Sequence, residues 1–250
     1  MSEIEVRKFK DLDLKGGAVI DGFPSVGLAN TIAANFLIAK LNLDQIAALD
    51  SRLFPPLSMV YASKPKFPAR IYASDKLKIA VFLAEFKPPT VLDRLIANTM
   101  LAWAQQQHCK LIISPVGVPV EEQGSEGGPA VDYFPEVAGV GSTDGAREEL
   151  KKCGIPQLHT GMVAGASGVL LNEGRWTGFD VISLLIGVRT DIPDAKAGAK
   201  IIEAINKLLP QIKLEVKPLY EEAEKIDEHL KVLRRQAKPV EPVAPRGIYA

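Results

Sequence analysis

The chain has 250 residues, of which 47% are hydrophobic and 24% charged, a balance typical of a globular protein with a substantial core. Its 30 Lys and Arg residues equal its 30 Asp and Glu residues, so no net charge attracts nucleic acid or an anionic membrane. The charged residues 1–8 are unlike a signal peptide, and the apolar runs are shorter than the ~20 residues that span a bilayer. With only Cys109 and Cys153, we expect a cytoplasmic protein with reduced thiols.

Short apolar runs alternate with segments of helical periodicity, which is the pattern of an α/β fold. Residues 18–21 predict a buried strand that ends at the turn Gly22-Phe23-Pro24, after which Ser25 is expected to cap a helix to about Leu41. Three short strands are predicted next, at Leu57–Tyr61, Arg70–Ala73 and Lys78–Leu83. Their lengths favour antiparallel pairs beside the main sheet.

The second half of the chain continues this alternation. Thr90 is expected to open a helix that runs to about Gln107, with Asp93 completing a capping box. A polar, Gly-rich loop is predicted for residues 115–135. The remaining predicted elements are strands at Lys110–Ser114, Val137–Gly141, His159–Val163 and Phe179–Gly187, and helices at Thr143–Lys152 and from Asp191 to just before Pro210.

The last part of the chain differs in composition. Its apolar residues alternate at spacings of four and three, the heptad pattern of a coiled-coil seam. The seam consists of Leu219, Ala223, Ile226, Leu230 and Leu233. Such a seam packs either on the parent domain or against copies of the chain, so these residues are candidate oligomer contacts. We predict an α/β core domain at 1–215, a heptad-type helix at 216–236 and a Pro-rich tail at 237–250.

The tail combines a stiff spacer with a distinctive end. Prolines at every third position of residues 238–247 favour extended polyproline II, which could span roughly 30 Å. The spacer leads to Ile248, Tyr249 and Ala250. Tyrosine offers a large apolar ring with a polar tip, isoleucine fits a neighbouring apolar pocket, and a terminal carboxylate can pair with a lysine. The tail is therefore predicted to be a docking device; an inert chain end is the alternative.

Two turns of small residues leave an enzymatic alternative open. Gly22 and Gly27 have the spacing of the glycine pair in a phosphate loop, but Leu28 stands where the lysine of that loop would be. Ser167 lies in a Gly-Ala-Ser-Gly segment similar to a nucleophile elbow, although Val169 stands in place of the second glycine of that motif. Tight packing of a strand against a helix explains these glycines without any ligand.

The chain contains the residue types of a Ser/His/Asp triad at Ser167, His159 and Asp180. The alternative function is therefore a small-molecule enzyme of phosphorylase or hydrolase type that uses the Gly22–Gly27 and Ser167 turns. Three such common residue types can be combined in most chains, however, and the three histidines lack the spacing of a metal site. We expect a protein that is not an enzyme and needs no metal or cofactor.

Several stretches together resemble the proteasome assembly chaperone 2 family, in its archaeal branch. They are residues 21–28 (DGFPSVGL), 115–119 (PVGVP), 141–144 (GSTD) and 162–171 (MVAGASGVLL). The block from Asp191 through the Glu-rich terminal helix fits as well, so the resemblance extends from about residue 15 to 236. Their order and spacing together are specific.

The resemblance implies a three-layer α/β domain similar to phosphorylase/hydrolase-like folds. Together with the residue patterns above, the predicted fold is this domain with a mixed sheet, plus a C-terminal helix and an extended Pro-rich tail. The resemblance also implies a homo-oligomer that acts as an assembly chaperone or activator of the proteasome. The hydrophobic-Tyr-any motif of the family matches Ile248, Tyr249 and Ala250. By this resemblance, the tail inserts between neighbouring α-subunits of the 20S proteasome, and its carboxylate meets a lysine.

Overall fold

The computed structural model describes residues 4–120, 136–190, 192–221 and 223. The strands are β1 (Glu5–Lys8), β2 (Ala18–Gly22), β3 (Asp44–Asp50), β4 (Met59–Tyr61), β5 (Lys64–Lys66), β6 (Ala69–Ser74), β7 (Ile79–Ala84), β8 (Leu111–Pro119), β9 (Ala138–Gly141) and β10 (Asp180–Val188). The helices are α1 (Ala29–Lys40), α2 (Asp93–Gln106), α3 (Asp144–Lys152), α4 (Gly165–Thr177) and α5 (Ala195–Leu208). A C-terminal helix follows, of which residues 217–221 and 223 are described.

Eight strands form one mixed sheet in the order β1-β3-β6-β7-β2-β8-β10-β9. Neighbours are antiparallel from β1 to β7 and again between β10 and β9, whereas β7, β2, β8 and β10 run parallel. One apolar cluster joins the sheet to α1, α3 and α5, and a second joins the opposite face to α2 and α4. The predicted fold class, a three-layer α/β domain with a mixed sheet and a C-terminal helix, is confirmed.

Several strand predictions need correction. β6 and β7 lie within the main sheet and not beside it, because β7 pairs in parallel with β2. The strand predicted at Leu57–Tyr61 shortens to β4, which forms a hairpin with β5, a strand that the sequence did not suggest. β8 continues through Pro119 into the predicted loop, because β10 pairs with it along its whole length. The rest of that loop, residues 121–135, lies outside the described residues.

The strand predicted at His159–Val163 is absent. A single bridge between Gly139 and Gln157 ends the pairing at this side of the sheet, and the chain then leaves the sheet to begin α4. Met162, which lies within the predicted strand, is exposed. An apolar residue in a short run is thus not sufficient to predict a strand here.

Two predicted helix caps are wrong. Ser25 Oγ donates to Asn30 Oδ1 at 2.9 Å and caps no helix; a short 3-10 turn precedes α1. Thr90 likewise opens a 3-10 turn, and α2 starts without a side-chain cap. By contrast, Thr143 caps α3 and Asp194 caps α5, each by accepting a backbone N–H at 3.0 Å.

A buried ion pair links β6 to the residue that follows β7. Arg70, which is 2% exposed, contacts Glu85 and also donates to the Phe67 carbonyl at 3.2 Å. The rings of Tyr61 and Tyr72 lie 5.6 and 5.7 Å from the guanidinium. The Tyr61 hydroxyl donates to Glu85 at 2.9 Å, so the pair also holds the β4–β5 hairpin against the main sheet.

The thiols of Cys109 and Cys153 are both free. Cys109 is buried, and burial raises its pKa to about 11. Within the described ranges, no helix is long and apolar enough to cross a membrane.

Candidate functional site

The two seam residues that the structure describes, Leu219 and Ala223, are buried within their own chain. Leu219 belongs to the apolar cluster that includes α1 and α5. This is the packing that the parent-domain alternative predicts. The other predicted contacts lie outside the described residues: Ile226, Leu230 and Leu233 of the seam, and Ile248, Tyr249 and Ala250 of the tail. The proposed oligomer and docking roles of these residues stay predictions.

Polar contacts fix the start of the C-terminal helix on α5. The side chain of Asn206 donates to the Leu214 carbonyl at 2.8 Å and accepts from the Leu214 N–H at 3.0 Å. The Tyr220 hydroxyl donates to Glu203 at 3.0 Å. Burial, together with this hydrogen bond, raises the pKa of Tyr220 to about 12, so the hydroxyl stays a donor at neutral pH. The described start of the C-terminal helix is therefore attached to the domain at a defined position.

A second polar cluster lies near the carboxyl end of β2. Asp21, which is 4% exposed, accepts from Ser114 Oγ at 2.7 Å and from the Phe23 N–H at 3.0 Å. Ser114, in β8, also contacts the hydroxyl of Ser167 in the first turn of α4. These three buried side chains form a hydrogen-bonded chain that joins two central strands to α4.

Sequence reasoning missed Asp21 and Ser114 as members of a cluster. The available signals were an aspartate at the end of an apolar strand and a serine directly after Leu111–Ile113. Neither signal indicates the other residue, because only the order of strands in the sheet brings them together. The Asp21–Ser114–Ser167 cluster can hold a proton or position α4.

Burial raises the pKa of Asp21 to about 6, against the hydrogen bonds from Ser114 and the Phe23 amide, while the charge of Asp93 adds to the increase. The folded chain thus binds this proton more tightly than the unfolded chain. The stabilisation that this tighter proton binding gives the folded state is complete below pH 4 and is lost as the pH rises through 6. We expect Asp21→Asn to remove this loss, which amounts to on the order of 3 kcal/mol of unfolding free energy.

Urea unfolding of the wild type and Asp21→Asn between pH 4 and 8 measures the difference in slope. Asp75→Asn is the matched control, at an exposed aspartate outside the cluster. Equal pH dependence in the wild type and Asp21→Asn would contradict the assignment.

The Ser/His/Asp set considered from the sequence is not assembled. Ser167 is buried against Ser114, whereas Asp180 lies at the amino end of β10 and accepts from the Thr143 hydroxyl. His159 is exposed beyond α3. A buried serine that lacks a histidine partner is not activated as a nucleophile in the way the motif requires. Among the described residues, no group of His, Cys, Asp and Glu could hold a metal ion.

Close packing explains the two glycines of the phosphate-loop hypothesis. A Cβ at Gly22 would lie 2.6 Å from the Phe82 carbonyl oxygen and would overlap Ala34 Cβ in α1. Gly27 has a φ of 70°, and a Cβ there would lie 2.6 Å from Val188 Cβ. Both positions need glycine for the approach of backbone to its neighbours, with no ligand required.

Comparisons with known proteins agree with the fold. The PAC2 family model matches residues 19–234. The crystal structure of Pyrococcus furiosus PbaA, described as an archaeal homolog of proteasome-assembly chaperone, has a TM-score of 0.80 and 30% identity, covering 93% of this chain and 92% of that chain. Pyrococcus furiosus PbaB, described as an archaeal proteasome activator, has a TM-score of 0.76 and 24% identity, covering 94% and 100%.

A curated relative gives the same result at the level of sequence. An uncharacterized protein of Methanocaldococcus jannaschii is 28% identical over 228 residues, which is 90% of this chain and 88% of the relative. The family model alone covers most of the chain, from the middle of β2 to beyond the described part of the C-terminal helix. The family predicted from the sequence is confirmed, and the chain belongs to the PAC2 family.

Proposed function

We propose that the protein binds the 20S proteasome as an assembly chaperone or activator, and that it docks through Ile248, Tyr249 and Ala250. The observation that carries this proposal is the likeness to PbaA, which extends over 93% of the chain at 30% identity. PbaA is described as a homolog of proteasome-assembly chaperone, so a proteasome partner is the function that this likeness favours. The partner surface would be the α-ring, in the cytoplasm.

The chemistry of the tail suits a recess with apolar walls and a cation. Tyr249 would bury a rigid ring at low cost in side-chain entropy, and Ile248 would fill the adjoining space. The carboxylate of Ala250 would pair with a lysine or with backbone N–H groups. The described start of the C-terminal helix is held on α5 by hydrogen bonds. Several tails on an oligomer would raise the overall affinity through effective concentration.

A binding role also fits the buried state of the polar cluster. The hydroxyl of Ser167 and the carboxylate of Asp21 are both hydrogen-bonded inside the domain. The packing of Gly22 and Gly27 needs no phosphate ligand. These observations support a protein that is not an enzyme, and its family is one of assembly chaperones.

Removal of Ile248–Ala250 is expected to abolish binding to purified 20S proteasome, and Tyr249→Ala is expected to weaken it by about 30-fold or more, as for a buried aromatic hot spot. Biolayer interferometry with immobilised proteasome measures both effects. An additional C-terminal glycine should also weaken binding, because it displaces the carboxylate from its cation.

Trp176→Ala is the matched control, since this aromatic residue is exposed on α4 and has no part in the proposed contact. Circular dichroism should show the same fold for every variant. Wild-type affinity in the tail-deleted protein would refute the docking proposal.

A further inference from the structure

The β4–β5 hairpin forms a two-stranded sheet of its own, apart from the main sheet. Its two turn residues, Ala62 and Ser63, have φ values of 49° and 61°. Two consecutive left-handed residues define a type I′ turn, the two-residue connection that fits the twist of a hairpin. This turn type fixes which backbone groups point into the hairpin and which point away from it.

The two edges of the hairpin differ in the backbone groups that they present to another strand. The register pairs Tyr61 with Lys64 next to the turn, and Val60 with Pro65 after that. In a two-residue hairpin, the two residues that flank the turn exchange both backbone hydrogen bonds with each other. The N–H and C=O groups of the next pair therefore point outward, away from the partner strand. Pro65 has no N–H and is flanked by Lys64 and Lys66, which protects the β5 edge. The β4 edge has no such protection, and Val60 can both donate and accept there.

Exposed apolar side chains lie in this strand and shortly before it in the sequence. Val60 is 68% exposed, and Leu53, Leu57 and Tyr61 are exposed as well. These are four of the nine large apolar side chains that are exposed in the described part of the chain, so the exposure is concentrated here. Outward backbone groups beside exposed apolar side chains are a template for the addition of another strand.

We propose that β4 pairs antiparallel with β4 of a second copy of this chain, about a two-fold axis at Val60. Each Val60 N–H would donate to the Val60 carbonyl of the other copy, and Met59 would lie opposite Tyr61. All three residues of β4 are neutral, so this symmetric pairing opposes no like charges. The lysines of β5 would lie on the two outer edges of the resulting four-stranded sheet, away from each other.

The turn end of the hairpin is already held in place, which favours this contact. The Tyr61 hydroxyl is held by Glu85, and the Tyr61 ring lies over Arg70. Pairing therefore costs little additional conformational entropy. One short strand buries less than the roughly 800 Å² per partner of a standard interface, so Leu53 and Leu57 would extend it.

A charge swap tests the symmetry of the contact. Val60→Lys and Val60→Glu are each expected to weaken self-association at least 10-fold, because each places like charges opposite one another. A mixture of the two variants should associate again, close to the wild-type level. Sedimentation velocity across a concentration series measures all three, and Val91→Lys, at a valine that is 77% exposed, should leave self-association unchanged.

Disulfide formation tests whether the two Val60 residues of the proposed pair lie directly opposite each other. Directly opposite residues that exchange both hydrogen bonds lie about 5.5 Å apart between Cα atoms, within the range that a disulfide bridges. Val60→Cys is expected to form a covalent pair at twice the chain mass of 27.0 kDa under mild oxidation, whereas Val91→Cys is not.

Unchanged self-association in both charge variants, or a wild-type protein that is monomeric at all concentrations, would overturn the inference. Cross-linking of Val60→Cys only to a different protein would overturn it in favour of a partner strand. None of these measurements involves the tail or the proteasome, so their failure leaves the proposed docking role untouched.

Discussion

Replacement of Gly22 by valine is expected to lower the free energy of unfolding by about 3 kcal/mol or more. The new side chain would meet the Phe82 carbonyl of β7 and Ala34 of α1, both of which are buried in the core. Neither the backbone of a central strand nor a helix packed on the sheet can move away without loss of other contacts. Urea unfolding followed by circular dichroism measures the effect.

Gly145→Ala is the matched control, because a Cβ at this position in α3 would lie 3.4 Å from the nearest carboxylate oxygens of Asp180, an ordinary contact. Alanine has the higher helix propensity, so this variant should be as stable as the wild type or slightly more stable. A Gly22→Val protein with wild-type stability would show that the approach of α1 to β2 is not as tight as described.

Glu85→Ala is the second change with a large expected effect, about 3–5 kcal/mol of unfolding free energy. It leaves Arg70 buried with no counter-charge, and Tyr61 loses its hydrogen-bond acceptor. The loss should appear as a lower urea midpoint with an unchanged dependence of the free energy on denaturant concentration, since the fold itself stays the same.

The double variant Arg70→Met, Glu85→Leu separates the ion pair from its packing. In the wild type, Arg70 Nε and Glu85 Oε2 both lack a hydrogen-bond partner among the described residues, so the buried pair is only partly satisfied there. Apolar side chains of similar size should recover most of the stability lost in the single variant. If the stability of Glu85→Ala is within about 1 kcal/mol of the wild type, water must solvate the Arg70 guanidinium in that variant.

Local signals predicted most of the fold. The buried strands β2, β7, β8 and β10 are continuous apolar runs, and α3 and α5 begin at residues that cap helices. β3 was missed because its Ala-Ala-Leu segment has a high helix propensity, which the pairing with β1 and β6 overrides. β5 was missed because Lys-Pro-Lys has little strand propensity, and only the turn before it sets its conformation.

The candidate sites also differ in whether a local sequence pattern indicates them. The tail motif could be proposed as a site from the sequence, because its residues are adjacent there, and it stays a prediction. The cluster of Asp21, Ser114 and Ser167 could not be proposed in this way, because its members come from three elements that only the strand order brings together. Likewise, the outward groups of Val60 follow from the register of the hairpin, which no local pattern gives.

The position of β2 has a consequence for how the chain reaches its native state. β2 ends at Gly22, yet the strands on either side of it end at Ala84 and Pro119. During synthesis, this apolar strand therefore leaves the ribosome before either of its neighbours has been made. Because the centre of the sheet closes only through contacts between distant parts of the chain, this long-range pairing is expected to slow folding.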